Sequence, residues 1–304
     1  MEQQKVSGLH SKENTPNFLI VGAAKAGTTS LAKYLNDHPD IYIPDKKELR
    51  FFISELIKDI SPDDPLRKRI FEQSILDEKE YFENFEREEK VKGEASVHYL
   101  YHHSSAIPKI KSYLGDEVSI IIILRNPIKR LKSNYDFLYN FHYNPLRKEL
   151  ANEINYFTQN FNSFWYYKEL GLYYEQVKAY KENFSKVEVL IFEDFIKNPQ
   201  LIMTNLFRFL QVEPIRPNFK VHNKSKRNSN LKKLLFKLGI GEFLNLILDR
   251  KSILKLKNSF SFILETAEDK VDEQLLMELN EFYREDIKKL EALLKRDLEV
   301  WKVL

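Results

Sequence analysis

The sequence predicts an α/β fold, with a central parallel sheet, helices on both faces and a helical C-terminal region. Three observations predict it. The stretch Asn17 to Asn36, NFLIVGAAKAGTTSLAKYLN, passes from an apolar strand through a glycine-bounded turn into a helical pattern. The run Val118 to Leu124, VSIIIIL, is β-branched and apolar on both faces, which marks a strand inside a parallel sheet. Extended and helical patterns then alternate along the chain, as strand–helix–strand units do. In such a sheet a ligand sits outside the carboxyl ends of the strands.

Each element follows from local chemistry. Residues 1–15 are polar and read as a loose tail, with 16–304 as one domain. Phe18 to Val21 is the first strand, and Leu31, Tyr34 and Leu35 give the first helix its core spacing. Pro39 disfavours helical geometry at His38, so the helix stops there. Residues 53–90 are charged, with Pro62, Pro65 and scattered aromatics, and read as helices and loops. Lys90 to Ser96 reads as a strand and its exit, and Ser104 to Leu114 as a helix. After Val118 to Leu124, Asn126 as N-cap and Pro127 at the first helical position open a helix with Ile128, Leu131, Tyr135 and Leu138 inward. Leu172 to Phe184 is helical, Val187 to Phe192 extended and Pro199 to Leu210 helical. Asp272 to Trp301 is an amphipathic helix with Leu275, Leu276, Leu279, Phe282, Ile287 and Leu290 inward.

Composition narrows the function. A net charge of +3 and a pI near 8.6 are too mild for a nucleic-acid binder, so local positive charge is expected to meet a small anionic ligand. The chain has no cysteine, which removes disulfides, thiol nucleophiles and thiolate metal sites and suits a reducing compartment. The polar N-terminus shows no signal peptide, and no apolar run is long enough for a membrane span. A cytoplasmic protein is expected.

The first turn carries the chemistry. Gly22 and Gly27 are spaced as in the phosphate loop G-x-x-x-x-G-K-(S/T), with Thr29 where the Ser/Thr would stand, so the fold is P-loop-like. The lysine, however, lies inside the turn, at Lys25. The second strand ends in Arg125, and no apolar strand ends in the aspartate that helps to hold Mg²⁺. A loop lysine is ordinarily solvated, but between two glycines in a strand-to-helix turn Lys25 faces bound phosphate. Arg125 leaves a buried strand at the ligand edge and suits bidentate phosphate contacts. Ser133 falls on the helix face opposite the core stripe, beside Lys129 and Arg130. Glu48, after two lysines, reads either as surface or as a base. His98, His102 and His103 are rival bases, with no metal-site or triad spacing. Asn223 to Arg227 is basic and reads either as a phosphate lid or as a solvated loop. Ten rings crowd a segment between two helices: Tyr139, Phe141, Tyr143, Tyr156, Phe157, Phe161, Phe164, Trp165, Tyr166 and Tyr167. With Asn, Gln, Arg and Lys interleaved they either pack the segment or hold a saccharide acceptor.

Together these residues resemble the PAPS-dependent sulfotransferases (PAPS being 3′-phosphoadenylyl sulfate), in particular the branch with the heparan sulfate N- and O-sulfotransferases and bacterial relatives. The likeness starts at the K-x-G-T-(T/S) loop, here Lys25-Ala26-Gly27-Thr28-Thr29, and His38-Pro39-Asp40. It continues through K-E-x-x-F-F, here Lys47-Glu48-Leu49-Arg50-Phe51-Phe52. The 3′-phosphate motif L-R-(D/N)-P-x-x-R-x-x-S-x-Y stands here as Leu124 to Tyr135. The resemblance implies PAPS as donor, 3′,5′-ADP as product and no metal. It assigns Lys25, Ala26, Gly27, Thr28, Thr29 and Ser30 to the 5′-phosphosulfate. Arg125 and Ser133 would hold the 3′-phosphate, Lys226 and Arg227 would belong to a late cofactor loop, and Lys25 and Glu48 would be catalytic. One departure is Glu94-Ala95-Ser96-Val97, where several heparan sulfotransferases have E-K-T-P, so that lysine's role is missing or moved. A P-loop kinase or NTPase using ATP, or a non-catalytic nucleotide-binding protein, are the alternative readings.

Overall fold

The computed structural model of the chain describes residues 14–142, 144–219 and 271–301. Among them five strands form one parallel sheet in the order β2-β3-β1-β4-β5. They are β1 (Phe18–Gly22), β2 (Ile41–Tyr42), β3 (Val91–Ala95), β4 (Ser119–Leu124) and β5 (Val187–Ile191). β1 is buried throughout and β4 from Ile120 on, as apolarity on both faces requires. β1 lies between β3 and β4, with Phe18 opposite Gly93 on one side and Ser119 on the other. The chain therefore leaves β1 at the point where strand order reverses, where open α/β sheets make their crevice.

The helices are α1 (Thr28–Asn36), α2 (Ser54–Lys58), α3 (Arg67–Gln73), α4 (Glu78–Glu83) and α5 (His103–Leu114). They continue with α6 (Pro127–His142), α7 (Leu146–Thr158), α8 (Tyr174–Asn183), α9 (Phe192–Lys197) and α10 (Pro199–Phe209). The last is α11 (Glu273–Leu294). The expected N-cap of α6 is present, since Asn126 Oδ1 accepts the N–H of Lys129 at 2.9 Å. α11 is capped by Asp272, which accepts from Leu275 N at 2.7 Å. Its Asp286 carboxylate in turn accepts the N–H groups of Tyr173 and Tyr174 at the start of α8. Leu275, Leu279, Tyr283 and Leu290 are its buried face, each large side chain contributing about 2 kcal/mol by burial.

Several boundaries differ from the expectation. β5 ends at Ile191, and Phe192 starts α9 instead of finishing a strand. In α11 the inward ring is Tyr283, while Phe282 points out, because the helical face advances by one position there. α11 ends at Leu294, and Trp301 lies in a separate turn, Glu299–Trp301. No helix among the described residues is long and apolar enough to cross a membrane.

Candidate active site

Lys25, Val97, Arg125 and Phe192 stand just beyond the carboxyl ends of β1, β3, β4 and β5, and all line one cleft of about 830 Å³. Gly27, Thr28, Thr29, Ser30, Glu48 and Ser133 line the same cleft. Eight residues expected from sequence, far apart in the chain, thus share one space. Ala26 does not: it is fully buried, and its N–H returns to Ala23 O at 3.2 Å. Lys226, Arg227 and Tyr143 lie outside the described residues.

The turn after β1 is tied to the sheet by Ala23 N–H on Ile123 O at 2.8 Å. Lys25 takes a left-handed backbone, with φ +67°, and Gly27 another at φ +95°. At Gly27 a Cβ would also stand 2.7 Å from the Phe192 ring, so only glycine fits. The first intrahelical bonds of α1 come from Ser30 and Leu31 to Gly27 O. The N–H groups of Gly27, Thr28 and Thr29 therefore stay open at a helix N-terminus, ready for an anion. Thr29 Oγ1 accepts from Lys47 Nζ at 3.0 Å, which adds a second lysine to this rim.

Lys25 makes no ion pair with an acidic side chain among the described residues, and its Nζ lies 4.4 Å from the centroid of the Phe137 ring. Burial, then the positive charges of Arg125, Arg130 and Arg69, pull its ammonium down to about 8, with Asp136 opposing them. An added negative charge would relieve that repulsion. Arg125 donates from Nη1 to Lys25 O at 3.1 Å and stacks over Phe192 at 4.9 Å, while its Nε is buried without a protein partner. Ser133 faces the cleft, as its position opposite the core stripe of α6 implied. Arg130, expected beside it, points the other way. It is fully buried and donates to the carbonyl of Tyr167.

Glu48 sits in a turn with two left-handed residues, itself at φ +66° and Arg50 at φ +55°. Non-glycine residues in that region cost on the order of 1 kcal/mol each, and such strain gathers at functional sites. The carboxylate accepts Val97 N–H on Oε2 at 3.1 Å and pairs with Arg50 Nη2 at 3.5 Å. Its other oxygen has no hydrogen-bond partner among the described residues. The turn rests on β3: Glu48 N–H reaches Ala95 O, and Arg50 N–H reaches Ser96 Oγ at 3.0 Å. Ser96 donates in turn to Glu94, a carboxylate that also receives the hydroxyls of Tyr81 and Tyr99. Full burial pushes Glu94 up to about 7 against those hydrogen bonds. Of the three histidines, His98 and His102 line a separate, smaller chamber instead of the cleft.

Sequence reasoning missed other wall residues. Leu66, Arg69, Ile70 and Gln73 line the cleft from α3 and the residue before it, at the spacing of one helical face. Arg69 lies over the opposite Phe137 ring at 5.4 Å. On the far side Phe192, Phe195 and Phe219 form an aromatic wall with Tyr34. The short charged stretch around α3 carries no long period, but the i, i+3, i+4, i+7 set from Leu66 was a readable signal. Of the nine crowded rings among the described residues, Phe164 alone lines the cleft. Trp165, Tyr166 and Tyr167 are core, Tyr156 and Tyr167 donate to buried Glu149, and Phe157 is exposed.

Comparison with known proteins agrees with this fold. The sulfotransferase domain family matches residues 15–289. A crystal structure of a sulfotransferase from Alicyclobacillus acidocaldarius superposes with a TM-score of 0.73 at 32% identity, covering 95% of this chain and 99% of that one. The membrane-associated sulfotransferase kil1 of Dictyostelium discoideum is 34% identical over 122 residues, a stretch that is 40% of this chain and 23% of that protein. A five-stranded parallel sheet opening on Lys25, Arg125 and Ser133, together with these matches, leads to one conclusion: the chain belongs to the sulfotransferase family.

Proposed function

We propose that the protein transfers the sulfuryl group of PAPS to a hydroxyl or amine of an acceptor and releases 3′,5′-ADP. The observation that carries this reading is the pairing, on one cleft, of a lysine beside open helix-terminal N–H groups with a carboxylate that has one oxygen unpaired among the described residues. Lys25, Gly27, Thr28 and Thr29 suit the 5′-phosphosulfate. Arg125, whose Nε lacks a partner among the described residues, and Ser133, which lines the cleft, suit the 3′-phosphate. The wall of Phe192, Phe195 and Phe219 suits a flat adenine.

The chemistry follows from charge. Glu48 takes the acceptor proton on its free oxygen while the acceptor oxygen or nitrogen attacks sulfur in line. The bond from sulfur to the bridging phosphate oxygen breaks, and its electron pair stays on that oxygen. Lys25 and the loop amides meet the charge developing there. The sulfuryl group bears less charge than a phosphoryl group, so protein cations suffice in this reading. For the acceptor we propose a saccharide. Phe137 and Phe164, with centroids 5.4 Å apart, offer flat faces, and Gln73 and Arg69 offer hydrogen bonds beside them.

The experiment is a thermal-shift comparison of 3′,5′-ADP, ADP and Mg-ATP. Without metal, 3′,5′-ADP at a hundredfold excess over its Kd is expected to stabilise the protein by ~2.7 kcal/mol. A shift with Mg-ATP and none with 3′,5′-ADP would overturn the reading in favour of a kinase or NTPase.

A further inference from the structure

A second chamber, of about 60 Å³, lies against the first, and Arg50 lines both. Ile53, Ile57 and Ile70 give it apolar walls, and His98, Asn162 and Ser163 give it polar ones. Three buried polar atoms without partners among the described residues belong to its wall residues: Arg50 Nε, His98 Nε2 and Asn162 Nδ2. A buried N–H with no acceptor is destabilising, and groups of this kind are as a rule satisfied by internal water. A chamber of that size, with that many polar groups, meets both requirements for holding water.

The hydrogen bonds around the chamber give it a sense of direction. Ser163 Oγ lies 2.8 Å from His98 Nδ1 and 3.0 Å from His102 Nε2. The hydroxyl has one proton to give, so one imidazole accepts and the other donates. In either arrangement His98 Nε2 is left needing a partner, and water, which donates and accepts, serves both. Burial first, and then the charge of Arg50, hold His98 well below the ordinary imidazole range, so a neutral ring stands beside the guanidinium. Its ring also packs edge-on against Phe164, 4.1 Å away, which fixes it against the wall of the main cleft.

Arg50 is the link to chemistry. It is 1% exposed, and its Nη1 and Nη2 both serve Glu48, the first through the backbone carbonyl at 3.0 Å and the second through the carboxylate. Its Nη1 also reaches Ser74 Oγ at 3.5 Å, so Nε is the guanidinium nitrogen left buried without a partner among the described residues. An arginine whose fork is used on one side and open on the other turns until every donor is paired. We infer that the chamber is a site for bound water held by His98 and Asn162, and that this water sets the angle of Arg50 and so positions Glu48. Arg50 and His98 are then positioning residues for the carboxylate, an inference that rests on Glu48 being the proton acceptor.

The test is a double-mutant cycle between His98→Leu and Glu48→Gln, with PAPS hydrolysis, in which water is the acceptor, as the activity. His98→Leu is expected to lower kcat about tenfold, with KM for PAPS and the Kd of 3′,5′-ADP unchanged. His98→Gln, whose amide can again hold water, recovers most of the loss. In the Glu48→Gln background His98→Leu has no further effect. Losses that multiply, or no loss at all, overturn the inference. Should hydrolysis be too slow to follow, the same cycle is read in melting temperature, where additivity of the two shifts overturns it. A loss in His98→Leu that His98→Gln fails to recover counts against bound water. Wild-type protein that fails to bind 3′,5′-ADP yet shows the coupling in melting temperature would instead overturn the proposed reaction.

Discussion

The affinity of the cleft for 3′,5′-ADP is expected to depend on pH through Lys25. In the free protein its ammonium titrates near 8, because burial and the neighbouring arginines disfavour the charge. Bound phosphate favours the charge, so the complex titrates higher and binding takes up a proton. At pH 7 the lysine is charged in both states and has almost no effect on the pH dependence of Kd. Above 8 each pH unit costs about tenfold until the complex itself titrates, so from pH 7 to 9.5 Kd rises roughly 30-fold, or about 2 kcal/mol. Calorimetry at pH 8 in buffers of different ionisation enthalpy should register uptake of about half a proton. Lys25→Arg keeps its charge throughout and should flatten the profile. A wild-type Kd constant between pH 7 and 9.5, or a break that persists in Lys25→Arg, would refute the argument.

Four further outcomes follow from the same geometry. Glu48→Gln keeps its shape and loses basicity, so kcat should fall by on the order of 10²-fold or more while calorimetry gives an unchanged 3′,5′-ADP Kd; full activity would remove Glu48 as the proton acceptor. Arg125→Ala should weaken 3′,5′-ADP about tenfold or more, and Ser133→Ala less, in the same titration. Gly27→Ala forces a side chain into a left-handed turn against Phe192 and should cost about 1–2 kcal/mol of stability in urea, along with nucleotide affinity. Glu94 binds a proton up to about pH 7 when folded but only to 4.5 when unfolded, so stability should fall by about 3 kcal/mol as pH rises through that window. Denaturant titrations of Glu94→Gln should lack that decline.

The parts of this site that were legible in the sequence are those in which backbone geometry and residue type coincide. Gly27 announces a left-handed turn, the run to Leu124 announces a buried strand, and Asn126-Pro127 announces a helix start; together they place Lys25, Arg125 and Ser133. Glu48 was legible only through resemblance, since its turn is made by two non-glycine residues in left-handed geometry that no propensity predicts. Arg130 was misplaced because an arginine on an amphipathic helix reads as solvent-facing, yet here it is buried against the Tyr167 carbonyl. The aromatic segment misled for a related reason. A ring's composition does not distinguish core from cleft, and buried Glu149, with its tyrosine donors, turns much of that segment into interior. Phe137, one helical turn after Ser133, was the ring that mattered and was not singled out.

The closing turn has a consequence for how the cleft comes into being. The Trp301 carbonyl accepts from buried Asn126 Nδ2 at 2.9 Å, and its indole N–H donates to Glu193 Oε2, while the other oxygen of Glu193 accepts Asn126 N–H. The residue that follows Arg125 is thus locked by a backbone carbonyl 175 positions downstream. Every group proposed to touch the nucleotide from the described residues is made before the ribosome reaches Trp301, yet Asn126 and Glu193 have incomplete partners until it arrives. A nascent chain would carry the whole recognition surface and still lack its latch. A nick just ahead of Trp301 would therefore act at Arg125 without removing any described residue proposed to touch the nucleotide.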